Sequence, residues 1–237
     1  MKAITKTWLI GILAVLGSAS TVLAQEDDTA YIQLRMIQVQ PGKMAEFQAA
    51  ILQIREIYRE AGYPYYHIYQ GVRNNVNQFV EITPDAFFND VPGVQLPPEL
   101  GIRVTSTMNS MNLVTLAVYP QLSSPGDGVA PSGEFMTVRL RTTSPQNQQA
   151  FFDWHASEFT PALREAGWRD VRVGRIVAGG NINTFVKFTY SDQIPPNNGD
   201  VLGRMNIAEL IDGENALTVS AEDYVDRYRA DLSYTAD

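Results

Sequence analysis

The segment REAGY, residues 59–63, occurs a second time in the chain as REAGW, residues 164–168. Other matches keep the same order on both sides of this segment. They pair residues 34–36 with 138–140 upstream, and residues 77–83 with 183–189 downstream. A single match could arise by chance, but a collinear series predicts two copies of one structural unit.

A segment of linker composition separates the two copies. Residues 121–134, QLSSPGDGVAPSGE, are rich in Gly, Pro and Ser and lack apolar periodicity, which is typical of a flexible connection. The sequence therefore predicts a first repeat at residues 30–120, a linker at 121–134 and a second repeat at 135–234.

Both copies show the same order of strand and helix patterns. Apolar and polar residues alternate at residues 32–36 and 136–140, as in half-buried strands. A helical pattern follows and ends at Gly62 or Gly167. Two more strands and a last helix or strand complete a β-α-β-β-(α)-β order. This order predicts the α+β class, with two ferredoxin-like repeats whose sheets pack into one intramolecular α+β barrel. It also predicts a monomer with an internal pseudo-twofold axis.

Two stretches resemble a known group of proteins. VQPGK at residues 39–43, followed by Glu46 and Phe47, resembles the start of dimeric α+β barrel proteins, and residues 151–167 are similar to their first helix. That superfamily includes the antibiotic-biosynthesis-monooxygenase, Dabb and NIPSNAP families, and the resemblance covers most of both repeats. It implies a fold rather than one function, because the group includes oxygenases, isomerases and haem enzymes.

Residues 1–24 have the pattern of a secretory signal peptide, with two lysines followed by a short apolar run at residues 8–16. An uncleaved membrane anchor is the alternative, but this run is short for a membrane span. The small residues Val22 and Ala24 favour cleavage after Ala24. The sequence thus predicts a periplasmic or secreted protein without stable membrane association.

Composition excludes several classes of function. The chain has no cysteine, which excludes thiol nucleophiles, iron–sulfur clusters and cysteine–zinc sites. Its net charge of −8 becomes −10 without the two signal lysines, and this opposes nucleic-acid binding. No nucleotide-binding, serine-hydrolase or zinc-protease motif occurs. The acidic run at residues 222–231 lacks calcium-loop spacing and predicts a solvated face.

The two predicted first helices differ in chemistry at one place. The second has Trp154 and His155 where the first has Ala49 and Ala50. In the resembled families the space between this helix and the sheet forms the ligand pocket, and in haem-binding relatives a helix histidine ligates iron. We therefore expect a ligand near Trp154 and His155. The alternative is a histidine that is hydrogen-bonded at the helix boundary.

An aromatic strand offers a second candidate. Tyr65, His67 and Tyr69 should share one face of a strand, because side chains alternate between faces. Such a wall could hold a flat ligand, or it could fill the interface between the two sheets.

Equivalent arginines differ in their predicted partners. Arg35 and Arg139 occupy matching positions of the first strands, and the neighbouring strand has Glu81 in one copy and Lys187 in the other. Arg35 is therefore predicted to have an acidic partner that Arg139 lacks, which would let Arg139 bind an anion. Alternatively, both arginines pair with other acids or reach water.

Three functions remain open at this point. The favoured one is binding of a small apolar or aromatic molecule without a defined reaction. The others are a cofactor-free monooxygenase or isomerase, and a haem-binding protein that uses His155. We predict no metal site and leave the cofactor open. The predicted ligand contacts are His155, Trp154, His67, Tyr69 and Arg139.

Overall fold

The computed structural model describes residues 29–72, 75–123, 133–165, 170–192 and 208–236. The predicted signal peptide and most of the predicted linker lie outside these ranges, so export and the boundary between the repeats stay predictions. The strands are β1 Ala30–Val39, β2 Tyr65–Gly71, β3 Gln78–Pro84, β4 Met108–Val118, β5 Phe135–Thr143, β6 Val171–Ala178, β7 Thr184–Ser191, β8 Thr218–Tyr228 and β9 Tyr234–Thr235. The helices are α1 Met44–Glu60, α2 Pro98–Thr105, α3 Gln148–Trp154, α4 Thr160–Glu165 and α5 Ala208–Leu217.

Strands β1 to β8 form a closed antiparallel barrel. The order around the sheet is β3-β1-β4-β6-β7-β5-β8-β2, and pairing of β2 with β3 closes it. Within each half the order is the same, β4-β1-β3-β2 in the first and β8-β5-β7-β6 in the second. The halves join where β4 pairs with β6 and where β8 pairs with β2. The predicted fold class, two ferredoxin-like repeats in one α+β barrel, is confirmed.

Strand alternation divides the side chains between the barrel interior and an outer layer under the helices. On β1, Leu34 belongs to the interior cluster, whereas Ile37 and Val39 pack under α1. Pairing opposes Arg35 to Glu81 on β3, and Arg139 of β5 to Lys187 on β7. The side chains of each half therefore face two separate environments, the barrel interior and the layer between the sheet and the helices.

Each half ends in a Leu-Ser pair that contacts the other half. Ser123 Oγ accepts a hydrogen bond from the Val173 amide of β6 at 3.0 Å, and Ser233 Oγ accepts one from the Ile68 amide of β2 at 2.8 Å. The preceding residues, Leu122 and Leu232, are buried. These reciprocal contacts explain why Leu-Ser recurs in both copies.

The second-half helix contains a wider turn. Residues His155–Phe159 form a π-helical segment between α3 and α4. Pro161 follows within the next turn and has no amide hydrogen to donate to the carbonyl one turn back, which favours such a local rearrangement. The predicted apolar stripe centred on Phe152 is wrong by one residue, because Phe151 is the buried phenylalanine and Phe152 is only partly buried.

No helix within the described part of the chain is long and apolar enough to cross a membrane.

Candidate functional site

A buried cluster of charges lies on the outer face of the second half. Lys187 of β7 forms an ion pair with Glu214 of α5, and Arg141 Nε contacts the other oxygen of Glu214 at 3.0 Å. Arg141 Nη1 also contacts Asp223 Oδ1 of β8 at 2.6 Å. The two cations hold the pKa of Glu214 at about 2 despite its burial, which by itself raises it. Burial in turn lowers the pKa of Lys187 to about 8.

Arg139 belongs to the same cluster but is incompletely paired. Its side chain is only 2% exposed, and its Nε and Nη2 atoms have no hydrogen-bond partner among the described residues. Burial is the main cause that lowers its pKa. An unpaired donor on a buried cation is costly, so this site is suited to accept an anion.

The equivalent position of the first half is fully paired. Arg35 forms an ion pair with Glu81, as the sequence predicted. Glu81 also accepts a hydrogen bond from the hydroxyl of Tyr66 at 3.0 Å, and Arg35 donates to the Tyr58 hydroxyl at 3.3 Å. The matched arginines of the two halves therefore differ in their neighbours: Arg35 lies opposite the acid Glu81, whereas Arg139 lies opposite Lys187.

His155 lies at the centre of the second helix–sheet layer rather than at its boundary. Its side chain is completely buried, and neither ring nitrogen has a hydrogen-bond partner among the described residues. The rings of Phe159, Phe151 and Trp154 lie 4.5, 4.7 and 5.1 Å from the imidazole centroid. Burial and the nearby Lys187 lower the pKa of His155 well below its usual value, so the ring is neutral. The alternative prediction, a hydrogen-bonded histidine at the helix boundary, is therefore wrong, because the His155 side chain is completely buried.

Phe159 connects the histidine to the charged cluster. Its ring contacts His155 on one side, and the Lys187 ammonium lies 4.2 Å from its centroid. Trp154 closes the layer toward α5, where a Cβ on Gly213 would come within 2.8 Å of the indole nitrogen. His155, Trp154 and Arg139 thus belong to one layer, and Gly213 lets α5 approach it.

The remaining two predicted ligand contacts lie elsewhere, inside the barrel. His67 stacks on Tyr65 at 4.9 Å and contacts Tyr228, while Tyr69 contacts Tyr190 and Tyr228. His67 Nε2 also lies 3.0 Å from the Thr235 hydroxyl. Burial lowers the pKa of His67 to about 4. The five predicted residues therefore do not form a single site, and His67 and Tyr69 fill part of the barrel interior.

Two acidic residues were not identified from the sequence. Glu214 has no repeat-equivalent signal, because it comes from a helix whose pattern is weak. Asp226 was included in the acidic run predicted to be solvated, and this is wrong, since Asp226 is completely buried. The sequence did contain an indication of this burial: Asp226 lies two positions from Tyr224 and from Tyr228, so all three side chains share one face of the strand. Both tyrosines pack with the interior cluster.

The barrel interior also contains a cavity of about 300 Å³. It is lined by apolar side chains of both halves and by polar residues near its mouth, and none of the five predicted contacts lines it. Its apolar wall is formed by Leu34, Met36, Val114, Leu140, Ile176 and Val186.

Comparison with known proteins defines the fold. No family model and no curated protein matches the sequence. Among solved structures, a candidate monooxygenase from Fusobacterium nucleatum is similar at 13% identity and a TM-score of 0.61, over 86% of this chain and 94% of that chain. Another, from Lactobacillus acidophilus, is similar at 11% identity and a TM-score of 0.57, over 89% and 100%.

A chlorite dismutase variant from Candidatus Nitrospira defluvii is also similar, at 8% identity and a TM-score of 0.53, over 84% of this chain and 91% of that chain. At such identities these similarities describe the ferredoxin-like α+β fold and not a shared activity.

Proposed function

We propose that the second half binds a small molecule with an aromatic or apolar body and an acidic group, between its helices and the sheet. The observation that supports this proposal concerns two buried side chains in one layer: Nε and Nη2 of Arg139 and both ring nitrogens of His155 have no hydrogen-bond partner among the described residues. Native proteins rarely leave such groups without partners, and functional sites are a common reason for the exceptions.

The chemistry of the layer selects the kind of ligand. Among the described residues, the cluster contains the three cations Arg139, Arg141 and Lys187 and the two acids Glu214 and Asp223. A carboxylate on Arg139 would balance the excess positive charge and use the two free donors. The neutral imidazole of His155 can exchange one hydrogen bond with the ligand, and a ligand with one or two rings would have to displace less of the aromatic packing around it than a porphyrin would.

The second half differs from the first where this function requires it. Helix α1 contains no histidine, and Glu81 neutralises Arg35. The first half therefore serves as an internal reference in which the fold is kept and the proposed site is absent.

Binding of an aromatic carboxylate tests the proposal. We expect 1-naphthoate to bind the wild-type protein and to lose roughly tenfold or more in affinity in Arg139→Gln, because a charged hydrogen bond is removed. The uncharged 1-naphthalenemethanol should bind both proteins alike. Titration calorimetry measures the affinities, and a change in Trp154 fluorescence that is lost in Trp154→Phe places the ligand.

Arg35→Gln is the matched control, because it changes the equivalent arginine of the first half. Equal affinity of 1-naphthoate for wild type, Arg139→Gln and Arg35→Gln would contradict the proposal. Mass spectrometry of small molecules that co-purify with the protein would then identify the natural ligand.

Haem binding by His155 has a suitable donor but not a suitable space. A neutral imidazole with free nitrogens is a good axial ligand. However, the three aromatic rings packed within 5.1 Å of His155 occupy the volume next to it that a porphyrin would need. The residues in this arrangement do not fit the group, and we place this function second.

We therefore expect added haemin to give the same absorption spectrum with the wild-type protein and with His155→Ala. A Soret band that forms in wild type and disappears in His155→Ala would reverse the order of the two functions.

A further inference from the structure

We propose that the barrel interior is a second ligand site, which takes a small amine with an apolar body and holds its ammonium group on Asp226. The site is separate from the one under the second-half helices, because it lies on the opposite face of the sheet.

The shape of the cavity suits a small molecule. It has a volume of about 300 Å³, at the lower end of the range for ligand pockets. Its inner wall is apolar, and its polar residues, such as Asn112, Asn181 and Ser220, lie near the open end of the barrel. A ligand would therefore enter with its apolar body among the interior side chains.

The polar anchor is supplied by strand β8. Glu222, Tyr224 and Asp226 alternate along this strand and so point to the same side. Glu222 and Tyr224 line the cavity, and the Tyr224 hydroxyl donates a hydrogen bond to Glu222. Asp226 follows one step further along the barrel, where its backbone pairs with Gly71 of β2 and Met136 of β5.

Asp226 has no hydrogen-bond partner in the part of the chain that the structure describes. It is 0% exposed, and both carboxylate oxygens lack a hydrogen-bond donor among the described residues. It lies close enough to Tyr224 to raise the pKa of that hydroxyl, although burial and Glu222 contribute more. A buried carboxyl beside Tyr224, which lines the cavity, is poorly solvated, and an ammonium group that reaches it from the cavity would supply both the missing donors and the opposite charge.

The acidic character of the site decides between ligand classes. Two carboxyls, Glu222 and Asp226, face the interior on this side, and the described residues that line the cavity include no lysine or arginine. Arg172 also faces the interior, but it lies over the Tyr190 ring, outside the cavity lining, and contacts Asp170. An anionic ligand would meet repulsion there, whereas it would be attracted to the layer around Arg139. The two sites are therefore expected to have opposite preferences for charge.

The test uses 2-phenylethylamine and the uncharged 2-phenylethanol at pH 8. We expect the amine to bind the wild-type protein and to lose roughly tenfold or more in affinity in Asp226→Asn, while the alcohol changes little. Asp226→Asn keeps the side-chain shape and removes an unpaired charge, so it should remain folded. Glu222→Gln is the control for a carboxyl at the mouth.

Methyl NMR signals of Leu34, Leu140 and Val186 should shift on addition of the amine to wild type, which locates it in the barrel without relying on a variant. Arg139→Gln should leave amine binding unchanged, which separates this inference from the proposed function. Absence of amine binding, unchanged affinity in Asp226→Asn, or shifts confined to residues outside the barrel would each overturn it.

Discussion

Glu214→Gln is expected to lower the free energy of unfolding by about 3–5 kcal/mol, because it removes the acid shared by two buried cations. Lys187 and Arg141 both contact Glu214, and each of the three side chains is almost completely buried. Arg141 retains Asp223, but Lys187 has no second acid among its described contacts. Urea unfolding of the wild-type protein and the variant measures this loss.

The loss should depend on pH, since Lys187 can release its proton. Its pKa is already lowered to about 8 with Glu214 in place, and removal of the acid lowers it further. The Glu214→Gln defect should therefore become smaller between neutral pH and pH 9, where the lysine is neutral in both proteins.

Two controls identify the buried charge as the cause. Glu46→Gln breaks the exposed pair with Lys43, whose side chains are 41% and 45% exposed, and should change stability by about 1 kcal/mol or less. The double variant Glu214→Gln/Lys187→Met should recover part of the loss, because no unpaired ammonium remains. A defect in Glu214→Gln as small as that of Glu46→Gln would show that the cluster does not need its acid.

Asp226→Asn is expected to stabilise the protein at pH 8 by up to about 4 kcal/mol and to have little effect at pH 4. Burial raises the pKa of Asp226 from 3.8 to about 7 in the folded state. Between pH 4 and 7 the folded state keeps a proton that the unfolded state has released, so stability falls as the pH rises through this window. Above pH 7 the cost is constant.

His67 has the opposite effect over much of the same range. Its pKa is lowered from 6.5 to about 4 by burial, so the unfolded state binds a proton that the folded state lacks. Its contribution is fully present above about pH 6.5 and is lost as the pH falls toward 4. Each group contributes a slope of about 1.4 kcal/mol per pH unit, with opposite signs.

Stability profiles of three variants separate the two effects. Relative to wild type, Asp226→Asn should gain stability as the pH rises from 4 to 7, and His67→Gln should gain stability as the pH falls from 6.5 to 4. The double variant should show the sum of both changes. A difference between wild type and Asp226→Asn that does not vary with pH would mean that Asp226 ionises normally in the folded protein.

The repeated segments were sufficient to predict the topology, because each copy contains a complete pattern of strand and helix periods. Strand alternation also predicted the Arg35–Glu81 pair, since the neighbouring strand was known from the fold. Local patterns of this kind report which face a side chain occupies, and pairing then follows from strand order.

The helix register and the acids of the site required the structure. The π-helical segment shifts the buried face from Phe152 to Phe151 and centres His155, and a pattern based on regular helical spacing does not show this. Glu214 comes from helix α5, for which the sequence repeat gave no matching pattern, so its position over Lys187 depends on tertiary packing. Asp226 was missed because a run of acids was interpreted by composition instead of by alternation.

The reciprocal Leu-Ser contacts have a consequence for synthesis of the chain. The amide of Ile68 donates its hydrogen bond to Ser233, which is 165 positions further along the chain. Strand β2 also pairs with β8 and β9, which belong to the second half. During translation the first half therefore leaves the ribosome with one edge of β2 and one edge of β4 unpaired. Contacts between such distant positions slow folding, and the nascent first half presents an open strand edge on β2 until β8 and β9 emerge.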